Sequence, residues 1–240
     1  EVLENKESVS GLSVTKDKLG KESLEGVVVR REPMSKIRKL TASHMSLSVK
    51  RSPHVTTTFE IDCSALIEKR KANKDFFKKQ HKINLSLTPF FFDAAISAIK
   101  QYPIFNCSVD GDDILYKEDI NMGCAVAAPQ GLIVPVVKKT QKLSFVSFCI
   151  ELQALVDKAR NNSLSPSDVV GGTFSITNPG VYGCLHSQPI INQPQVAIMS
   201  IGTIRQVLVP SPSLGTRVAS LAQVGITFDH RVIDGEAGTK

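Results

Sequence analysis

No apolar run in the chain reaches the roughly 18 residues that a membrane-crossing helix needs, so a transmembrane protein is not expected. The N-terminus likewise lacks a basic stretch followed by an apolar one, and no signal peptide is read there. Nor is there a Cys-x-x-Cys pair: the five cysteines, Cys63, Cys107, Cys124, Cys149 and Cys184, are odd in number and scattered. That argues against a disulfide scaffold or a zinc site and favours a reducing compartment, the cytoplasm or, in a eukaryote, the mitochondrial matrix. A cysteine nucleophile stays open, although no cysteine has an informative setting. The acidic cluster around Asp110, Asp112 and Asp113 lacks the alternating ligands and distal glutamate of a calcium loop, so no metal is assigned. Internal repeats and low-complexity arrays are absent as well.

What is present is enough apolar material for one substantial core or two small ones, at 42% of 240 residues. The net charge of +6 is unevenly spread, because residues 1–26 hold four bases and six acids. Most of the excess gathers in Lys69-Arg70-Lys71 and then Lys74, Lys78, Lys79 and Lys82, on what reads as a helix. A solvated face explains this run better than nucleic-acid binding does. The positive field would also suit an anionic, nucleotide-like cofactor.

Residues 1–26 are polar and without periodicity, and read as a linker or arm; a single folded domain is expected over 27–240. Val27-Val28-Val29 suggests a short strand, followed by a helix through Ile37, Leu40 and Met45. The β-branched stretch His54–Asp62 predicts a long strand, and Asp62 or Ser64 a cap for the helix that follows. Thr88-Pro89 opens a helix that is apolar around much of its circumference and reads as a central buried helix. An Asp-Gly hairpin is expected at Val109–Ile114, and strands near Asn121–Ala127 and Leu132–Val137. A long amphipathic helix should follow from about Ser144 to Arg160. Ser165-Pro166-Ser167-Asp168 has the pattern of a capped helix start. Further strands are read at Val196–Ile201 and Arg217–Phe228. The element count suits an α+β domain with a mixed sheet and helices packed over it.

Two stretches carry candidate chemistry. In Val224–Gly235 the residues Val224, Ile226 and Phe228 alternate as in a strand, which then gives way to a turn bearing His230 and Asp234, four apart. A histidine braced in this way can act as a general base near neutral pH. The spacing alone is weak, since a chain with five histidines produces it readily by chance. In Thr173–Gly180 polar and apolar residues alternate and then break at Asn-Pro-Gly, which puts Thr177 at a strand end. There a hydroxyl can be held beside a cleft, or be an ordinary strand threonine.

The longer string Asp229-His230-Arg231-Val232-Ile233-Asp234-Gly235 resembles the signature of the dihydrolipoamide acyltransferases, the E2 components of 2-oxo acid dehydrogenase complexes. Other segments are similar to the same family in the same order: Pro33–Lys39, Ser52–Thr56, Gly131–Val136, Gly171–Asn178 and Pro189–Gln195. The resemblance covers about residues 27–240. It implies a chloramphenicol-acetyltransferase-like two-layer fold, assembled as homotrimers with active sites between subunits, the trimers building a cubic or dodecahedral core. It implies coenzyme A as cofactor, a lipoyl group carried by a separate lipoyl domain, and E1 and E3 components as partners. It departs from the family at the C-terminal side, where a helix ordinarily continues past Gly235 and this sequence stops at Lys240.

By the same resemblance, His230 is the base for a thiol and Thr177 the donor to an oxyanion. Asp234 either orients the imidazole or pairs with an arginine to hold the loop. Arg30 is the candidate for coenzyme A phosphate, with Asn178 and Gly202 as further channel residues. Gly183-Cys184-Leu185 and the Pro-Ile-Ile-Asn segment lean towards a succinyl acceptor or donor, whereas Gln193-Pro194-Gln195-Val196 looks more like branched-chain or acetyl members. The rival readings are a non-catalytic oligomeric core and a small-molecule O-acetyltransferase of the same fold.

Overall fold

The structure, a computed structural model, describes residues 30–211 and 215–240. The expected arm at 1–26 and the strand at Val27–Val29 lie outside them. Residues 30–39 and residues from Leu40 onward belong to separate units. The first contributes the start of α1 (Lys36–Arg51), where the Ser35 hydroxyl accepts the Arg38 amide at 3.2 Å.

The second unit is built on one mixed sheet. Its strands are β1 (His54–Asp62), β4 (Met122–Cys124), β7 (Val136–Val137), β8 (Phe174–Thr177), β9 (Ala197–Ile201), β10 (Arg205–Pro210) and β11 (Thr216–Asp229). The order is β1-β11-β9-β8-β4-β7, with β10 forming a hairpin on the early half of β11. β8 runs parallel to β9 and β4, while the β1–β11, β11–β9 and β4–β7 pairings are antiparallel. Strand alternation gives this sheet two unlike faces. Phe228, Ile226, Val224, Met199, Ile201 and Ile176 belong to the buried apolar cluster, shared with α3 (Thr88–Gln101) and α4 (Phe145–Arg160). Phe92 of α3 and Phe148 of α4 meet there with ring centroids 5.3 Å apart. The opposite face carries small and polar residues: Thr56, Thr58, Thr227, Gly225, Ser200, Ser175 and Thr177 share it in register. The segment after β8 lies over this face, where the Ser200 hydroxyl donates to Ser187 O at 3.0 Å and the Ile191 amide to His54 Nε2 at 3.0 Å.

Several expectations meet a physical correction. The Thr88 helix buries one face only: Phe91, Phe92, Ala95, Ile96 and Ile99 are covered, while Ala94 and Ala98 are exposed. α2 (Ser64–His81) begins with no side-chain cap on its N-cap residue Cys63, although Asp62 Oδ1 accepts the Ser64 amide at 2.9 Å. The two strands expected between 121 and 137 each divide. β4 and β7 stay in the main sheet, whereas β5 (Val126–Ala128) and β6 (Gly131–Ile133) form a separate ribbon. Pro135 has no amide to donate to a ladder, and the Ala125 amide is taken by Ile176 O at 2.9 Å, so both strands break there. The hairpin of β2 (Cys107–Asp110) and β3 (Asp113–Tyr116) turns on Gly111-Asp112, with Gly111 at φ +57°. Ser165–Asp168 has its capping box but makes a single 3-10 turn, Pro166–Asp168.

Candidate functional site

β11 delivers the histidine. Its last residue, Asp229, pairs in register with His54 at the start of β1, and the chain then turns through His230. Several backbone groups fix this turn. The His230 amide donates to Pro53 O at 2.9 Å, and the amides of Val232 and Ile233 donate to Asp229 O at 3.1 and 3.0 Å. Ile233, 1% exposed, anchors the turn in the core. Asp234 Oδ1 accepts the Ala237 amide at 2.8 Å, so this carboxylate caps the following turn. The His230 imidazole is exposed, and neither ring nitrogen has a hydrogen-bond partner among the described residues. It lies 6.0 Å, centroid to centroid, from the buried Phe228 ring.

Within the same turn Arg231 pairs with Asp229. Arg231 Nε donates to both Asp229 carboxylate oxygens at 3.0 and 3.2 Å, and Nη2 to Oδ2 at 2.6 Å. Burial pushes the Asp229 carboxyl up, but hydrogen bonds from Arg231 and the Ser52 hydroxyl outweigh it and hold the group below its ordinary value. The same pairing raises the Arg231 guanidinium. Sequence reading overlooked this pair, although the signal was there. The residues on either side of His230 have opposite charge and are close enough in sequence for one to fold back on the other across a turn.

Thr177 is the last residue of β8 and half-buried. It lines a cavity of about 500 Å³ together with Thr88, Cys124, Arg160, Asn178 and Tyr182. Asn178 Nδ2 donates to Thr88 Oγ1 at 3.2 Å, tying the cavity wall to the start of α3. Gly202 follows β9 at a close approach of backbones: a Cβ there would lie 2.0 Å from Leu185 O and 2.9 Å from Gln223 O. Its amide donates to Gln223 O at 2.7 Å, which makes it a packing position in this chain. Arg30 belongs to the first unit and pairs with Glu32 at 2.9 Å, both side chains well exposed. Burial pushes the Cys124 and Cys149 thiols up to about 12, so neither is a thiolate at neutral pH. Among the described residues no group of three His, Cys, Asp or Glu side chains is arranged to hold a metal ion, and no helix is long and apolar enough to cross a membrane.

The register separates the two candidate catalytic groups. Thr177 is level with Ser200 on β9 and, through it, with Gly225 on β11. His230 lies five residues further along β11, roughly 17 Å at the rise of a strand and two strand spacings to the side, so the two backbones stand roughly 20 Å apart. Side chains of this size cannot close that gap to the roughly 3 Å of a shared reacting centre. Within a single chain His230 and Thr177 do not meet.

A mixed sheet with helices on its apolar face and a histidine turn at the end of its longest strand defines the fold class of the chloramphenicol-acetyltransferase-like enzymes. Chloramphenicol acetyltransferase itself superposes with TM-score 0.50 at 14% identity, covering 81% of this chain and 88% of that one, a likeness of fold alone. The chain belongs to the family of 2-oxoacid dehydrogenases acyltransferase (catalytic domain), whose profile matches residues 28–240. It is 40% identical over 210 residues to the dihydrolipoyllysine-residue succinyltransferase component of the 2-oxoglutarate dehydrogenase complex of Rickettsia typhi, covering 87% of this chain and 52% of that protein. The chain thus spans about half the length of the curated relatives it matches. Among solved structures, a probable dihydrolipoamide acetyltransferase from Listeria monocytogenes superposes with TM-score 0.84 at 35% identity, covering 88% of this chain and 89% of that one. Azotobacter vinelandii dihydrolipoamide acetyltransferase, described for the catalytic roles of a serine, a histidine and an asparagine, gives TM-score 0.84 at 28% identity, covering 88% and 87%. The cubic core of a pyruvate dehydrogenase multienzyme complex gives 0.83 at 28% with the same coverage.

Proposed function

We propose that the chain is the transferring core of an E2 component, moving an acyl group between a dihydrolipoyl arm and coenzyme A. The observation that carries this reading is the exposed His230 imidazole, whose ring nitrogens have no hydrogen-bond partner among the described residues, on a turn anchored by the Pro53 and Asp229 carbonyls. In the Azotobacter protein the histidine and asparagine are four residues apart, as His230 and Asp234 are here. Its serine precedes the histidine by fifty-two residues, and Thr177 precedes His230 by fifty-three. An aspartate stands here where that protein has the asparagine; its capping of the Ala237 amide supports a structural role.

The chemistry follows from these groups. A thiol at its ordinary pKa is mostly protonated at neutral pH, so His230 takes its proton as the sulfur attacks the thioester carbonyl carbon. The carbonyl oxygen becomes an anion, to which the Thr177 hydroxyl donates. Collapse of the tetrahedral intermediate breaks the original carbon–sulfur bond, and the imidazolium returns the proton to the departing sulfur. Since the register holds Thr177 and His230 apart in one chain, the site forms between two copies, and a homotrimer supplies three such sites. The cavity beside Thr177 fits a narrow pantetheine or lipoyl arm: the hydroxyls of Ser86 and Thr88 share its lining with Leu132, Val156 and Val181. Asn178 belongs to that lining, Gly202 keeps the neighbouring backbone close, and Arg30 is the proposed partner of the coenzyme A phosphate.

Trimers joined into a hollow core, E1 and E3 components as partners, and residence in the cytoplasm or mitochondrial matrix complete the reading. The likeness to succinyltransferase components and the Gly183-Cys184-Leu185 segment favour succinyl as the acyl group. Assays of the full chain with succinyl-, acetyl- and isobutyryl-CoA and dihydrolipoamide test this directly. Transfer should be fastest from succinyl-CoA and lost in His230→Ala. Equal turnover by that variant would overturn the reading.

A further inference from the structure

We propose that Asp229 and Arg231 form a brace that sets the direction of the His230 side chain, making both of them positioning residues for the acyl transfer argued above, on which this inference rests. The two residues flank His230 in a tight turn, where the Val232 and Ile233 amides both return to Asp229 O and the Arg231 side chain folds back onto the Asp229 carboxylate. The ion pair thereby closes a ring across His230. It is a tight ring: Arg231 donates through Nε at 3.0 and 3.2 Å, through Nη2 at 2.6 Å and through its own backbone amide at 3.1 Å, all to the one carboxylate. Asp229 is 1% exposed, whereas the Arg231 side chain is 41% exposed. A buried carboxylate stays ionised only with partners of this kind, so the pair is organised around the residue between them.

What the brace leaves free is informative. The backbone amide of His230 is held by Pro53 O, and the carbonyl of Asp229 accepts two amides. Rotation of the imidazole is limited on one side by the Phe228 ring. Among the described residues neither ring nitrogen has a hydrogen-bond partner, and these nitrogens are what a base must present. The pair also sets the electrostatics. An anion and a cation joined one residue on either side of His230 nearly cancel at the imidazole, whereas either alone would bias its protonation. The other groups at the pair are His54 of β1, level with Asp229 in the sheet, the Ser52 hydroxyl before it and Cys107 of β2. His54 is tied at both ring nitrogens, Nδ1 to Ser52 O at 2.6 Å and Nε2 to the Ile191 amide at 3.0 Å.

The test uses the full chain, dihydrolipoamide and an acyl-CoA, with rates measured across pH. Asp229→Asn keeps the shape and leaves the Arg231 cation unpaired; Arg231→Gln leaves the carboxylate unpaired. Each should lower kcat by about 10–100-fold with KM for coenzyme A changed little, because a misaimed base slows the step after binding. The apparent pKa through which the rate rises should fall in Asp229→Asn and climb in Arg231→Gln. In the double variant it should return towards the wild-type value while kcat stays low. Arg231→Lys keeps the charge but loses the planar fork, so kcat should fall with the pKa unmoved. If Arg231→Gln does not fold by circular dichroism, Asp229→Asn and Arg231→Lys still decide between them. Packing alone would give no opposed pKa shifts. Single variants with wild-type kcat and pKa, beside an inactive His230→Ala, would overturn the brace alone. An unmodified full chain without acyl transfer, or an active His230→Ala, would overturn the assigned function and the brace with it.

Discussion

At the scale of single residues, the two candidate catalytic side chains differ in how much the structure asks of them. His230 sits exposed at the end of a strand whose other residues are needed for pairing and burial, so its ring can be removed at little structural cost. His230→Ala is expected to abolish most acyl transfer while the circular dichroism spectrum and calorimetric coenzyme A binding stay close to wild type. Residual activity should recover at high pH, where the thiol is already ionised and needs no base. Thr177 is less separable, because it closes β8 and lines the cavity with part of its surface buried. Thr177→Ala should cost about 10²–10³ in kcat with little change in KM, as expected for a lost oxyanion donor. Thr177→Ser, which keeps the hydroxyl, should retain most activity. Equal losses in the two variants would assign the effect to the methyl group and to strand packing.

At the scale of elements, the legible parts of the sequence were those where a local pattern and the tertiary structure ask for the same thing. The β-branched run His54–Asp62 forms the strand β1 over those residues, and Ser144 caps α4 by accepting the Ser147 amide at 3.1 Å. The less legible parts depend on partners distant in sequence. Nothing local to 121–137 says that Ile176 O will take the Ala125 amide and divide a strand there. β10 was not anticipated, because half of it is exposed and its pairing with β11 is what makes it a strand. The site shows the same division: the His230 turn and the strand-end position of Thr177 were readable, whereas the close backbone approach at Gly202 was not. Gly202→Ala would force a methyl group into Leu185 O, so it should destabilise the fold by about 2–3 kcal/mol, measurable as a lowered thermal midpoint. Asp229 makes a pH-dependent contribution of the opposite kind. Its folded pKa is depressed, so the stability it lends is present above the unfolded aspartate value of about 3.9 and is lost as pH falls through the folded value. Thermal midpoints of Asp229→Asn should therefore approach those of wild type as the pH is lowered towards 2–3. A gap as wide there as at pH 7 would show that the carboxylate charge contributes nothing.

At the scale of the whole molecule, the register argument turns a distance into a statement about assembly. Strand pairing fixes Thr177 level with Gly225, while His230 comes five residues later at the other end of the sheet. No rotamer change brings them together, so a reaction using both must draw one from each of two chains. This can be tested without a structure of the assembly. His230→Ala chains still carry Thr177, and Thr177→Ala chains still carry His230. When the two nearly inactive proteins are unfolded, mixed in equal amounts and refolded together, some sites will join an intact histidine to an intact threonine across a subunit boundary. In a ring where each site takes its histidine from one subunit and its threonine from the next, random mixing restores roughly a quarter of the sites. Activity of the mixture should rise to about that fraction of wild type, far above either variant refolded alone, and should sediment with the oligomer. A site contained within one chain would give no recovery, since every chain in the mixture lacks one of the two groups.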